Sequence, residues 1–389
     1  MIEEWLHYGF RLFHLIAGIM WIGTSFYFVW LDFSFTPLAE KQPGVEGETY
    51  MVHGGFFYRV EKQRPLVMPK VLHWFKYEAL LTWVSGVFLM GLVYWLRGGL
   101  ALVDLNRFPM TGTMAIGVSI GTLIAGWLVY DLLWALIGAR APRLALLLSL
   151  LLGVGAIYGY CRIFSGRAAF LHVGAMFGTV MVANVWMRIL PNQRRMIAAS
   201  LAGKEPDWAR GAGAKQRSLH NSYMTIPVLI TMVSNHFSFA FDHPLNWALL
   251  TILCIVGASI RHLMITFDRS APAYWAFAPA LVGLGLVVAL TLPETVPVDT
   301  SPRVPFADAS DIITRRCRQC HSSTPTDSLY RVPPNGIVFD RPDTVQALAP
   351  RIRQQVVVAR AMPLGNRTNM TDAEREILRR WIDQGAQVQ

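Results

Sequence analysis

A Cys-x-x-Cys-His motif near the C-terminus carries the most specific chemistry in the chain. It comprises Cys317, Cys320 and His321. At this spacing the two thiols can add to the vinyl groups of a haem, and the adjacent histidine can bind the iron. A bare Cys-x-x-Cys pair could instead be redox-active or form half of a zinc site. The other two cysteines, Cys161 and Cys254, lie in apolar runs, so the motif predicts one covalently attached haem c.

A methionine downstream of the motif is the predicted sixth ligand of the iron. Met362 precedes Pro363 in a segment that we expect to be a loop before the last helix. A thioether opposite a histidine raises the reduction potential of a haem. Met370 is the alternative ligand, but it lies directly before Thr371, which we expect to cap that helix. The sequence therefore favours Met362.

Short helices are predicted around the motif, at 308–316, 344–360 and 371–384. The last one has the strongest signal, because Thr371 is followed three residues later by Glu374, the pattern of a capping box. This arrangement predicts a class I cytochrome c fold for residues 308–389.

The rest of the chain has the composition of a lipid-embedded protein. Hydrophobic residues make up 53% of the sequence and charged residues only 15%, against about 25% charged in a typical soluble protein. Apolar runs long enough to cross a bilayer dominate residues 1–292. We predict eight transmembrane helices, at about 10–31, 77–97, 113–138, 143–161, 168–190, 221–241, 245–267 and 273–292.

These patterns divide the chain into a transmembrane domain, residues 1–292, and a cytochrome domain, residues 308–389. Between them, residues 293–307 contain four prolines, which predicts a semi-rigid, extended linker. The fold class is therefore all-α, with an eight-helix transmembrane bundle followed by a cytochrome c. The formal net charge of +10 resides mostly in loops between apolar runs, so we expect a lipid bilayer and no nucleic acid as partner.

The basic loops predict the orientation in the membrane. Lysine and arginine are concentrated in loops 32–76, 138–143 and 188–219, which all lie on one side of an eight-helix bundle. Positively charged loops remain cytoplasmic. Both termini and the cytochrome would then face the periplasm of a bacterium, across its inner membrane. Covalent haem c is attached on that side, which agrees with the orientation.

Histidines within the apolar runs are candidate ligands of a second cofactor, since ionisable groups inside a membrane are functional candidates. Counted from the predicted helix ends, His14, His172 and His236 lie at one level near the outer face. That level would suit a haem b or a metal. Each histidine could instead only form hydrogen bonds between helices. The remaining candidates, which we rank lower, are His73 at an entrance and His220 and His262 near the cytoplasmic face.

The polar loop 32–76 is long for a simple connection. It contains aromatic, glycine and basic residues in two segments, 53–59 and 73–78. They could form a cradle for a flat anionic heterocycle. The alternative is an amphipathic segment at the membrane surface, anchored by its aromatic side chains.

The whole chain resembles the membrane-bound bacterial urate oxidase family, in which an eight-helix domain is fused to a C-terminal cytochrome c. The resemblance rests on motifs in a fixed order along both domains. The spacing from His14 to Trp21 and Gly23 is also similar to membrane proteins in which the matching histidine binds haem b, including a protoporphyrinogen oxidase. The motifs are residues 14–23, 72–76, 189–193, 220–223, 234–236 and the haem segment.

The resemblance implies that urate and water react to give 5-hydroxyisourate, two electrons and two protons. The electrons would pass to the haem c and then to a soluble cytochrome c or a terminal oxidase, so no hydrogen peroxide need form. Two other functions remain open. The chain could be a non-catalytic cytochrome subunit that relays electrons from a partner dehydrogenase. Alternatively, the membrane domain could be a protoporphyrinogen-oxidase-like or metal-transport-like enzyme with a cytochrome attached.

Overall fold

The protein is helical apart from one β-hairpin, as a computed structural model shows. The described residues are 2–64, 71–96, 98–104, 107–292, 301–327, 330, 332–358 and 360–388. Within these residues, seven helices are long and apolar enough to cross a membrane. The chain is therefore a multi-pass membrane protein. Most of the predicted linker, residues 293–300, lies outside the described residues.

The N-terminal part forms a bundle of eight long helices, which we call the membrane bundle. Seven of them are the apolar helices, and the remaining one is the sixth in chain order. The helices are α1 Ile2–Ser34, α2 Tyr77–Trp95, α3 Gly112–Gly138, α4 Pro142–Ile163, α5 Gly166–Leu201, α6 Trp208–Val233, α7 Asn246–Asp268 and α8 Tyr274–Thr291.

Helix α6 departs from the predicted run 221–241. It begins thirteen residues earlier, at Trp208, because the side chain of Asp207 accepts hydrogen bonds from the backbone N–H groups of the first turn. It ends at Val233, and a 3-10 turn, Ser234–His236, follows. Its first half is polar, so it does not qualify as an apolar span. Helix α6 nevertheless packs against α5 and α7, and eight transmembrane crossings remain a prediction.

Helix α5 lies at the centre of the membrane bundle. In its most apolar window 61% of the residues are buried, against 6% for α1 and 17% for α8, so the outer helices present most of their apolar side chains to lipid. Lipid provides no hydrophobic force between helices, so close packing of small residues must hold them together. At Gly174 a side chain would meet Thr231 Oγ1 of α6 at 2.0 Å. Glycine is therefore needed where α5 and α6 cross.

The first segment of the predicted heterocycle cradle, residues 53–59, belongs to an antiparallel hairpin of β1, Val45–His53, and β2, Phe56–Gln63. The aromatic side chains of β2 are exposed, and Arg59 is already paired with Glu48 and Glu61. Exposed aromatic side chains on a charged hairpin agree with the alternative prediction of a surface segment.

The C-terminal part, residues 301–388, contains four short helices around the Cys-x-x-Cys-His motif. The predicted helix 344–360 is broken at Leu348, where Ala349 and Pro350 begin a new helix, and proline is tolerated only in the first turn. The capping box at Thr371 and Glu374 is confirmed. The helices are α9 Phe306–Arg316, α10 Pro342–Ala347, α11 Ala349–Ile352 and α12 Asp372–Asp383.

Helices α9 and α12 pack together and form the core of the C-terminal part. Ile312 and Ile313 of α9 and Leu378 and Trp381 of α12 are fully buried. Burial of each such side chain contributes about 1.5–3 kcal/mol. This packing fixes the start of the motif, because Cys317 directly follows α9. The class I cytochrome assignment remains a prediction.

Candidate functional site

A cleft of about 350 Å³ lies between the membrane bundle and the C-terminal part. The C-terminal side contributes Cys317, Cys320, His321 and Met362 to its lining. These are the four residues that the sequence predicts to hold a haem c. The bundle contributes the ends of α2 and α5 and the segment between α6 and α7. The predicted haem residues therefore face the membrane bundle directly.

The Cys-x-x-Cys-His motif forms a tight turn directly after α9. The backbone N–H groups of Cys320 and His321 both donate to the Cys317 carbonyl, at 3.2 and 2.9 Å. His321 Nδ1 lies 3.2 Å from the Ile337 carbonyl oxygen. A carbonyl can only accept, so Nδ1 carries the proton and Nε2 has its lone pair free for a metal. The donor set thus fits an axial histidine beside two cysteines.

The two cysteines do not have the environment of a redox-active pair. Both are free thiols, and burial raises the pKa of Cys317 to about 12 and also raises that of Cys320. Reactive Cys-x-x-Cys pairs need the opposite, a thiol pKa lowered by nearby positive charge. Apolar surroundings suit a porphyrin, and Ile337, Phe339 and Ile352 supply them at the cleft wall. The residues present fit a covalent haem better than a disulfide.

The two candidate methionine ligands are placed differently. Met362 lines the cleft, and its backbone N–H donates to the Gln355 carbonyl at 3.0 Å. The Met362 carbonyl accepts from Arg375, at 2.8 Å, which fixes the loop from its other side. Met370 is 4% exposed and packs in the core between α9 and α12, away from the cleft lining. The geometry favours Met362, as the sequence does.

The cleft has an excess of positive charge. Six arginines and three aspartates line it. Some arginines are neutralised locally; Arg107 pairs with Asp104 and Arg367 with Asp327. Such a lining suits an anionic group such as the carboxylates of a porphyrin. The arginines come from both parts of the chain: Arg107, Arg167, Arg316, Arg351, Arg360 and Arg367.

A direct hydrogen bond joins the bundle to the segment from Gln355 to Met362, which we call the methionine loop. Gln355 Nε2 donates to Asp242 Oδ2 at 3.0 Å. Asp242 lies in the turn before α7 and is 5% exposed, and burial raises its carboxyl pKa to about 7. Because the Gln355 carbonyl also holds Met362, this contact links the bundle to the predicted iron ligand.

His172 occupies an aromatic cage directly behind the cleft. It is wholly buried, and both ring nitrogens have partners, since Nδ1 lies 2.7 Å from the Ala168 carbonyl and Nε2 lies 2.7 Å from Ser119 Oγ. The rings of Tyr94, Tyr160 and Phe164 surround it at 4.6–5.7 Å. Tyr94 also lines the cleft, so it connects His172 with the predicted haem site.

His14 has one ring nitrogen available for a ligand. Its Nδ1 lies 2.9 Å from the Thr82 carbonyl oxygen, which fixes Nδ1 as donor and leaves the Nε2 lone pair free. A side chain at Gly86 would lie 3.1 Å from the imidazole, so the glycine provides the space for the ring. This is the arrangement expected of a metal-binding histidine with a backbone partner. Among the three predicted haem b ligands, His14 fits that role best.

The structure does not bring His14, His172 and His236 to one level. Helix α1 begins at Ile2, eight residues before the predicted run, so His14 lies deeper than expected. Its partner Thr82 precedes Tyr94, the neighbour of His172, by twelve residues on α2, which is about 18 Å of helix. His236 lies in the 3-10 turn and lines the cleft instead of a span. The shared depth was a consequence of the assumed helix ends.

The other histidines lie at the opposite end of the bundle or on its surface. His220 lies 2.7 Å from the Tyr130 hydroxyl, in a network with Asn184. His262 lies 2.7 Å from the Tyr223 hydroxyl. His73 is exposed and contacts Phe75. In the described part of the chain no three His, Cys, Asp or Glu side chains are arranged to hold a metal ion.

The sequence alone did not identify several residues of the cleft and of the bundle interior. Tyr94, Asp242 and Gln355 carry no local signature, since the cleft joins segments far apart in the chain. Arg261 did have a signal. It is an ionisable residue inside the apolar run 245–267, which alone makes it a functional candidate, but only histidines were considered there.

A family model described as "Urate oxidase N-terminal" matches residues 1–292. The match covers the membrane bundle as a whole and ends where the described part of the bundle ends. No curated protein and no solved structure matches the chain.

Proposed function

The chain belongs to the urate oxidase N-terminal family, and from this premise we propose that it oxidises urate and passes the electrons to a haem c in its own C-terminal part. One observation carries the proposal. The four predicted haem residues line the same cleft as one end of the matched bundle, so the proposed electron acceptor would adjoin the matched domain within one chain.

The proposed reaction is urate plus water giving 5-hydroxyisourate, two protons and two electrons. A bound haem c supplies a one-electron acceptor. Cys317 and Cys320 would attach it covalently, and His321 and Met362 would bind its iron. The electrons continue to a soluble cytochrome c or a terminal oxidase, without hydrogen peroxide.

The bundle residues behind the cleft have a supporting role in this proposal. The aromatic cage of Tyr94, Tyr160 and Phe164 around His172 keeps water out of the path between bundle and cleft. Tyr94 forms the wall between His172 and the haem residues. Because a two-electron substrate meets a one-electron acceptor, we also propose a haem b in the bundle with His14 as a ligand.

The orientation remains part of the proposal. We place both termini and the cytochrome in the periplasm and the chain in the inner membrane of a bacterium. The basic loops support this, and so does the position of the haem residues at one end of the bundle.

A single-chain reduction assay tests the function. The purified protein in detergent, oxidised and kept without oxygen, should show reduction of its haem c absorbance when urate is added. No second polypeptide should be needed, because both sites lie in the same chain. In air with an added cytochrome c, urate should be consumed without hydrogen peroxide.

The same assay with xanthine and with protoporphyrinogen provides the comparison. Reduction by protoporphyrinogen but not urate would replace the proposal with the protoporphyrinogen-oxidase-like function. Reduction that appears only after a dehydrogenase fraction is added would make the chain an electron relay. Ascorbate should reduce the haem in every case, which shows that the preparation is competent.

A further inference from the structure

Arg261 is a buried cation whose donors are incompletely satisfied. It lies on α7 and is 1% exposed. Its Nε donates to Ser222 Oγ of α6 at 2.9 Å, and its guanidinium carbon lies 3.6 Å from the ring centroid of Phe26 on α1. Its Nη2 is buried without a hydrogen-bond partner in the described part of the chain. A buried charge left in this condition costs several kcal/mol.

A second buried arginine in the same bundle has a carboxylate partner. Arg217, on α6, donates to Asp131 at 3.1 Å and contacts Asn184. The acidic residue that interacts electrostatically with Arg261 is Asp268. It lies seven residues further along α7, which is about 10 Å along the helix axis. Arg217 therefore has a counter-charge from the protein, whereas Nη2 of Arg261 has no hydrogen-bond partner in the described part of the chain.

We propose that Arg261 is the anchor for the anionic substrate, a planar purine monoanion, between α1, α6 and α7. This inference rests on the proposed function and assigns the urate site within it. A guanidinium offers donors in its plane to adjacent oxygen and nitrogen acceptors of a planar anion. Ser222 accepts a hydrogen bond from one edge of Arg261, and Phe26 covers one face of the guanidinium. Nη2 is therefore the donor that remains for the ligand.

The neighbours of Arg261 suit a flat heterocycle that must lose protons. Tyr223 follows Ser222 on α6, and His262 follows Arg261 on α7. The Tyr223 hydroxyl lies 2.7 Å from His262 Nδ1. The His262 ring lies 5.1 Å from Trp275. Aromatic side chains provide stacking surfaces, and an imidazole close to the anchor can accept a proton released by oxidation.

The charges at this end of the bundle favour entry of an anion. Arg261 lies fifteen residues beyond Asn246, the end of α7 that faces the cleft, which is about 22 Å. At the nearby end of α1, Arg269 lies over Phe33 at 4.2 Å and Lys215 contacts Asp32. Positive charge around an entrance raises the local concentration of an anionic substrate. Urate would then enter from the side opposite the cytochrome.

Equilibrium dialysis with labelled urate tests the anchor. The full-length protein is used with its haem already reduced by ascorbate, so that bound urate cannot be consumed. Arg261→Gln should raise the urate Kd about thirtyfold or more, since removing one partner of a buried charge pair is costly. Arg261→Lys keeps the charge but loses the planar donors, and should recover part of the affinity. Arg140→Gln, which changes an exposed cation outside the proposed site, should change the Kd less than threefold.

The results separate this proposal from the proposed function. An unchanged Kd in Arg261→Gln, in a protein whose haem urate still reduces, would overturn the anchor and leave the function standing. Wild-type protein that neither binds urate nor is reduced by it would overturn both.

A second variant covers the case in which Arg261→Gln does not fold, which a lost haem c spectrum would reveal. Ser222→Ala keeps the cation and removes only the hydroxyl that orients it. We expect a Kd raised several-fold, with an unchanged rate of haem reduction by ascorbate. Wild-type affinity in Ser222→Ala, together with a misfolded Arg261→Gln, would also overturn the proposal.

Discussion

The two ends of the membrane bundle hold their polar groups differently. At the cleft end, aromatic rings enclose His172. One of these rings, Tyr94, also lines the cleft that contains the predicted haem residues. At the opposite end, Tyr130, Asn184 and Arg217 form a closed hydrogen-bond network with Asp131. Arg261 lies towards the same end, and its Nη2 is a buried donor without a partner in the described residues. In the function proposed above, the first end passes electrons and the second receives the charged substrate.

This difference implies a division of labour over most of the membrane. The proposed anion anchor and the cleft are separated by about 22 Å along α7, so electrons need a carrier between them. His14 lies twelve residues before Phe26 on α1, about 18 Å from it along the helix, and has a free ring nitrogen. It is therefore placed between the two ends. Each prediction below changes one of the sites on which this comparison depends.

The largest effect is expected from removing the covalent attachment at the cleft end. The double variant Cys317→Ala, Cys320→Ala should lose all haem staining on a denaturing gel, because only thioether bonds survive denaturation. Its urate Kd should stay at the wild-type value, because the proposed anchor lies at the other end. Haem staining that persists would refute covalent attachment, and lost urate binding would show that the two ends are not independent.

The second prediction concerns the carrier between the ends. Acid acetone should extract one non-covalent haem per chain from the purified protein, and His14→Ala should abolish it while haem c remains. Electron transfer from urate to haem c should then fall at least a hundredfold, which corresponds to about 2.7 kcal/mol. The exposed His53→Ala serves as the matched control and should retain both haems. An active preparation with no extractable haem would mean that the histidines bind substrate or protons instead.

Sequence reasoning performed unequally at the two ends for a physical reason. The haem motif is local, so Cys317, Cys320 and His321 could be identified without a fold, and the capping box at Thr371 fixed the last helix. Helix α6 was misplaced, since its polar first half is invisible to a hydropathy pattern. The helix also ends at Val233 rather than at the predicted residue 241, which places His236 in a 3-10 turn outside the span.

Contacts between helices were beyond the sequence altogether. The depth of His14 depended on where α1 begins, and hydropathy cannot detect the extra turns from Ile2. The pairing of Arg261 with Ser222 and Phe26 joins three helices far apart in the chain. A single sequence shows which residues are expensive to bury, but the structure is needed to show which of them lack a partner.

The third prediction separates the two methionines of the C-terminal part. Met362→Ala should remove the weak absorption near the red edge of the oxidised spectrum and lower the reduction potential, since the sixth ligand is lost. Met370→Ala should keep both properties but destabilise the domain by about 2–5 kcal/mol, because it leaves a cavity in the core. Optical redox titration and thermal melts followed at the haem would distinguish them. The reverse pattern would transfer the ligand to Met370.

The smallest effect is expected at the contact between bundle and methionine loop. Burial raises the carboxyl pKa of Asp242 to about 7, against an ordinary value of 3.8. Between these two values the unfolded chain releases a proton that the folded protein keeps, so stability falls as pH rises through this window. From pH 5 to pH 7 the loss should be roughly 2–3 kcal/mol, and above the folded pKa no further loss is expected. Melting curves followed at the haem c absorbance would measure it.

Two variants at this contact sharpen the measurement. Asp242→Asn cannot ionise, so its melting temperature should vary less with pH than that of the wild type. Gln355→Met removes the side-chain donor that favours the ionised carboxylate, so the pH-dependent window should extend to higher pH. If both variants follow the wild-type curve, Asp242 does not control docking of the methionine loop. In that case the bundle would be coupled to the C-terminal part through the apolar contacts around Tyr94.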